Sequence, residues 1–245
     1  MRVKTFFLFL LIIVLGVFVY ISVKVRGDLN SDFNQTYRYK LGRNGIFRAL
    51  FGLHNDGDAR AQYLLGGGPL VVEIVEPLGL DMPEESINDF TRKISNLLGR
   101  ETILYNVDHI PSGSLGETDL EEIVKEKRRH FLPGQPNLFI VYAEDYIGRG
   151  GEVGKTYKEF AILLSHKGLK EITNQQPEAF KQYLETTVLH EFGHQIGLPH
   201  NGQSDCIMNE KVNRPEAQGF FDGFYTPDEF CALEKQNLED IKKNL

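Results

Sequence analysis

Three histidines and one glutamate in a single short stretch have the types and spacing to activate water on a metal ion. His190 and His194 stand four apart, Glu191 directly follows the first, and His200 comes six after the second. On an α-helix, residues four apart lie on one face a turn apart, so both rings can reach one ion. Glu191 is then carried beside that ion without ligating it, the place of a general base that takes a proton from water. His200 would point away if the helix continued at about 100° per residue, so the chain has to turn back. Gly197 tolerates a left-handed conformation and Pro199 cannot sit in a continuing helix, which predicts a helix end near Ile196 or Gly197. The chemistry predicted is hydrolysis on one zinc ion held by His190, His194 and His200, with Glu191 as the acid-base. Helix histidines satisfied without a metal would require neither the glycine turn nor the third histidine.

The eleven residues from His190 to His200 resemble the zinc-binding signature of the metzincin metallopeptidases. Eight residues on, Met208 in Cys206-Ile207-Met208-Asn209 resembles the methionine turn that lies beneath the zinc in that clan. Within the clan the sequence is similar to the archaemetzincin group, in which four cysteines complete a second zinc site. Here Asn201 takes the first of those places, Cys206 the second, Cys231 the third and Glu234 the last. A mixed set of this kind is a poor match to zinc's preference for thiolate and imidazole, which argues against a second ion. The resemblance implies a zincin-like catalytic domain and a peptide or protein substrate. It also implies that the last strand before the zinc helix, about Lys158 to Ser165, is a sheet edge that binds an extended peptide by strand addition.

The elements that must position this stretch can be read outward from it. Pro177 opens the zinc helix. Before it come apolar strands at Leu70 to Val75, Thr102 to Ile110, Asn137 to Tyr146 and Glu159 to Ser165. Between them lie a helix from Pro83 to Gly99, with Ile87, Phe90, Ile94, Leu97 and Leu98 at helical spacing, and a second opened by Thr118. Alternation of this kind builds an α/β (α+β) fold, a mixed, mostly parallel sheet with helices packed on it. Past Met208, Thr226-Pro227-Asp228-Glu229 reads as the capped start of a C-terminal helix. Residues 69–245 therefore form the expected catalytic domain. Residues 27–68, ending in Gly66-Gly67-Gly68-Pro69, read as a juxtamembrane spacer.

Residues 1–26 are expected to be an N-terminal transmembrane signal anchor. From Thr5 to Val23 there is no charge, about 19 residues that match a 30 Å hydrocarbon core, and Tyr20-Ile21-Ser22-Val23-Lys24 offers no cleavage site. The protein is thus expected to be membrane-anchored through this helix, with the catalytic domain outside the cytoplasm. A formal net charge of −7, with no basic stripe beyond Lys125 to Arg129, excludes nucleic acid as a partner. Two cysteines, Cys206 and Cys231, leave a disulfide and two free thiols both open. The remaining histidines, His54, His109, His130 and His166, lie outside ligand spacing. The function expected is a zinc-dependent metalloendopeptidase. A membrane-tethered zinc-binding pseudoprotease that presents its edge strand, or a zinc amidase acting on cell-wall peptides, are the alternatives.

Overall fold

Uninterrupted apolar strands are the signature of a parallel sheet covered on both faces, and such strands form the centre of the protein. The computed structural model describes residues 2–25, 31, 33, 37, 41, 44–51, 59–128, 135–146, 153–157, 160–209 and 227–245. They fall into two compact units, Met1–Asp58 and Ala59–Asn244.

In the first unit, helix α1 runs Arg2–Val25 and α2 runs Gly45–Phe51. Val25 and Phe51 are buried against Phe18, Ile21, Phe33 and Leu41, with the Phe18 and Phe51 rings stacked 5.3 Å apart. Toward the N-terminus α1 carries exposed apolar side chains from Phe9 to Val19. Its described side chains begin at Phe9, and among the described residues no helix is long and apolar enough to cross a membrane.

The second unit opens with α3 (Ala59–Leu65), inside the stretch expected as spacer. The boundary between the two compact units falls at residue 58. Tyr63 is the reason: it is fully buried, and its hydroxyl donates to the Asn137 carbonyl at 2.9 Å. The remaining elements are β1 (Leu70–Pro77), α4 (Glu84–Leu98), β2 (Thr102–Ile110), β3 (Ser114–Leu115), α5 (Glu117–Lys127), β4 (Asn137–Ala143), β5 (Asp145–Tyr146), β6 (Gly154–Tyr157), β7 (Ala161–Ser165), α6 (His166–Ile172), α7 (Pro177–Gln195) and α8 (Ala232–Asn244).

Five strands form the main sheet in the order β2-β1-β4-β7-β6. The first four run parallel and β6 runs antiparallel to β7. Every residue of β1, β4 and β7 is buried. Burial of the two glutamates in β1 is answered by partners: Glu73 accepts from Asn137 Nδ2 at 2.8 Å, and Glu76 from the Met82 N–H at 2.8 Å. Helix α4 buries Ile87, Phe90 and Ile94, about 1.5–3 kcal/mol each. It ends at Gly99 in a left-handed conformation, φ 65°, as its glycine stop predicts.

Two expectations about placement change. The strand Ala161–Ser165 is not an edge, because β4 covers one side and β6 the other. The edge is the short, polar β6, and among the described residues no strand pairs with its outer side. The C-terminal helix starts at Ala232, past the expected start at Pro227 to Glu229, and Thr226 lies outside the described residues. Its first turn is fixed instead by Glu234, whose carboxylate accepts from the Cys231 N–H at 2.9 Å, and by the Cys206–Cys231 disulfide. The expected end of α5 at Pro133-Gly134 lies outside the described residues.

Candidate metal centre

Every residue of α7 from Tyr183 to Gly193 is buried, so the helix is a central strut rather than a surface element. Proline stands at its first position, where a missing N–H costs nothing. The Lys93 ammonium of α4 reaches Glu185 at 3.1 Å with both side chains largely shielded, locking the two helices together. Burial raises the Glu185 pKa, and the neighbouring Lys93 opposes that rise.

The helix stops where its sequence predicts. Gln195 is the last helical residue, and Gly197 takes φ 95° with its N–H on the His194 carbonyl at 3.0 Å. The Leu198 N–H returns to the Gly193 carbonyl at 2.9 Å. A Cβ at Gly197 would lie 2.5 Å from Arg60 Nε, so the glycine also admits α3. The turned-back chain brings His200 over the helix face that carries His190 and His194.

The three Nε2 atoms converge. His200 Nε2 lies 3.1 Å from His190 Nε2 and 3.0 Å from His194 Nε2. His190 Nδ1 donates to the Ile207 carbonyl at 2.7 Å, and His194 Nδ1 donates to the Leu198 carbonyl at 3.2 Å. A carbonyl only accepts, so in each neutral ring the proton sits on Nδ1 and Nε2 offers its lone pair inward. Burial first, then the crowding of the neighbouring imidazoles, push His190 down to about 3, against the opposing hydrogen bond to Ile207, so its ring is neutral. One proton on His200 Nε2 can satisfy only one of the two lone pairs facing it, whereas a cation satisfies all three nitrogens. Zinc–nitrogen bonds of about 2.0–2.1 Å at tetrahedral angles put nitrogens roughly 3.3–3.4 Å apart, so these residues fit zinc with a shift of a few tenths of an ångström. His190 is buried and His200 exposed, leaving the centre open on one side.

Glu191, one residue on and about 100° round α7 from His190, is turned toward the sheet edge. The Thr156 hydroxyl of β6 donates to Glu191 Oε2 at 2.7 Å and also lies 3.1 Å from the Glu191 carbonyl. The floor beneath the histidines is the Met208 turn. Ile207 and Met208 are fully buried, and a Cβ on Gly193 would overlap Met208 Sδ at 2.2 Å. Glu234 holds that turn, accepting from the Met208 N–H at 2.6 Å and from Asn201 Nδ2 at 3.0 Å. Asn201, directly after the third histidine, donates its N–H to the Met208 carbonyl at 2.8 Å.

Cys206, Cys231 and Glu234 also cluster closely enough to hold a metal. The two sulfurs are bonded to each other, and Glu234 already accepts three N–H groups, so the open choice between disulfide and thiols is resolved to the disulfide. Elsewhere His166 is a half-buried histidine packed against the Tyr142 hydroxyl at 2.5 Å and the Phe180 ring. Asp145 pairs with Lys167 at 3.0 Å, which lowers its pKa. Thr156 and the carbonyls of Leu198 and Ile207 escape sequence reasoning, since nothing local marks a residue 35 positions upstream or a backbone oxygen as partner to the site.

Residues 122–216 match peptidase family M54. The archaemetzincin of Saccharolobus solfataricus is 32% identical over 116 residues, covering 44% of this chain and 57% of the relative. The archaemetzincin of Saccharolobus islandicus is 28% identical over the same extent. The chain thus spans little more than half the length of the curated relatives it matches. The crystal structure of archaemetzincin from Methanopyrus kandleri shares the fold, with a TM-score of 0.52 at 15% identity, covering 72% of this chain and 96% of that one. Sequence likeness to archaemetzincins and the mostly parallel α/β fold agree with the resemblance carried by His190 to Met208.

Proposed function

We propose that this chain is a zinc-dependent metallopeptidase that hydrolyses peptide bonds, with His190, His194 and His200 holding one zinc ion and Glu191 as general base. The observation that carries this reading is the convergence of three Nε2 atoms, two with their Nδ1 protons committed to backbone carbonyls. Bound there, zinc supplies Lewis acidity that polarises the scissile carbonyl and lowers the pKa of water. Glu191 takes the proton released as water attacks and passes it to the leaving amine. A substrate peptide lies extended along the open side of β6, adding a strand to the sheet.

Zinc analysis of the full-length protein, together with digestion of an unbiased peptide library, tests the reading. One equivalent of zinc with peptide cleavage is expected, and Glu191→Gln should keep the metal while losing about 10²–10⁴-fold in kcat. Undiminished cleavage by Glu191→Gln sinks the mechanism. Two equivalents of zinc would replace the single-ion reading.

Helix α1 is further proposed to anchor the protein in a membrane with the catalytic unit outside the cytoplasm. What supports the reading is the sequence itself, an uncharged run of about 19 residues from Thr5 to Val23 that matches a hydrocarbon core of about 30 Å. The Cys206–Cys231 disulfide favours an oxidising compartment. Release of the full-length protein from membranes by alkaline carbonate would refute the anchor.

A further inference from the structure

The edge strand β6 is joined to the zinc helix at the residue read as the general base. Gly154 and Thr156 are two apart on β6, and side chains alternate along a strand, so both belong to the same face. That face meets α7 at Glu191. A Cβ at Gly154 would lie 2.3 Å from Thr187 Cγ2 and 3.3 Å from Glu191 Cγ, so strand and helix come together through a missing side chain. At Thr156 the contact becomes polar. Its hydroxyl stands 2.7 Å from Glu191 Oε2 and 3.1 Å from the Glu191 carbonyl, and with one proton to give it donates across the shorter contact.

We propose that Thr156 is a positioning residue for Glu191, holding Oε2 against β6 so that the carboxylate keeps the orientation in which it receives the proton from water. The inference rests on the reading of Glu191 as general base. Glutamate has three side-chain torsions, and a positioned acid-base works only within hydrogen-bond reach of the proton it takes. The glycine sets how close the strand approaches, and the hydroxyl sets where the carboxylate points. Among the described residues no strand covers the outer side of these same four residues, the side offered to the substrate, so substrate and base are registered on one element. A purely structural role fits less well. Thr156 is only half-buried, and β6 is already held by its ladder with β7 and by the Gly154 contact.

Thr156→Val keeps the branched shape and removes the donor, whereas Thr156→Ser keeps the donor and removes the methyl. In the full-length zinc-loaded protein, Thr156→Val should lower kcat by about 10–100-fold, the scale of a misplaced catalytic group. KM and zinc content should not change, Thr156→Ser should restore the rate, and Thr156→Val should add nothing to Glu191→Gln. An unchanged kcat in Thr156→Val, or equal losses in the Val and Ser variants, overturns the inference. If the wild-type protein cleaves no peptide, the functional reading fails separately. A crystal structure of zinc-loaded Thr156→Val then decides the positioning claim: Glu191 swung away from β6 supports it, and Glu191 in its original rotamer overturns it.

Discussion

Alanine for glycine inside an exposed helix is stabilising by about 1 kcal/mol, yet Gly193→Ala is expected to weaken both the fold and the metal site. The added methyl would sit 2.2 Å from Met208 Sδ and 3.3 Å from both Met208 Cε and Phe230 Cε1. Comfortable carbon contacts are about 3.5–4.0 Å, so the overlap at sulfur exceeds an ångström. The sulfur lies mid-chain on a fully buried side chain, beside a buried Phe230, and cannot simply swing into solvent. Overpacking of this kind costs about 1–3 kcal/mol, which outweighs the helix gain in all but the mildest case and leaves a net loss of up to about 2 kcal/mol. The turn that must give way carries the Ile207 carbonyl, the 2.7 Å acceptor for His190 Nδ1. Disturbing such a partner typically costs about 10–100-fold in metal affinity. Thermal unfolding of the metal-free protein and chelator competition for zinc measure the two effects separately. Gly202→Ala is the control, since a Cβ there meets nothing within 4 Å. A Gly193→Ala protein that melts higher than wild type and binds zinc equally well would refute the view that Met208 constrains the site.

Two further outcomes follow from buried partners. Lys93→Met should destabilise by about 3–5 kcal/mol, because it leaves Glu185 shielded without its cation. Burial already raises the Glu185 pKa in the folded state and the variant raises it further, so the folded protein holds a proton that the unfolded one releases; stability is lost as pH rises through the folded pKa, and urea melts should show a larger deficit at pH 8 than at pH 5. Replacing both Cys206 and Cys231 by serine should cost about 3.5 kcal/mol from a cross-link 25 residues apart, read as a lower denaturant midpoint.

How far the sequence reaches depends on whether a feature is local. Helix α7 was legible end to end, since Pro177 and Gly197 act within one turn and the histidine spacing is itself helix geometry. Strand β2 matches its predicted span, Thr102–Ile110, for the same reason. The edge of the sheet was not legible. Ala161–Ser165 has the apolar run of an interior strand, whereas β6 is four residues of Gly-Lys-Thr-Tyr that look like loop until paired. Which strand lies outermost is a property of the whole sheet. Helix α6 escaped because it is short and contains Gly168; the Ser165 hydroxyl, accepting from the Gly168 N–H at 3.1 Å, starts it. The start of α8 was misplaced because it is set by the Glu234 carboxylate on the Cys231 N–H and by the disulfide to Cys206, and the disulfide is a tie 25 residues long that no local cap signal reports.

The candidate centre divides along the same line. His190 and His194 need only a helix to be four apart on one face, so their geometry comes with the backbone. His200 lies beyond the helix on irregular chain and must be placed from outside. Its neighbour Asn201 is bound by backbone to Met208 and by side chain to Glu234. Glu234, in the first turn of α8, in turn accepts from the Met208 N–H and from the Cys231 N–H just ahead of the helix. The disulfide closes the same circuit between the Met208 turn and α8. Asn201, Cys206, Cys231 and Glu234, the four positions that the family resemblance marks as unsuited to a second zinc, are therefore the ones that fasten His200. A hydrogen-bonded carboxylate and one covalent bond join segments that a metal with four protein ligands would otherwise have to gather. The cross-link responds to reductant, and the carboxylate keeps part of the clasp when it is cut.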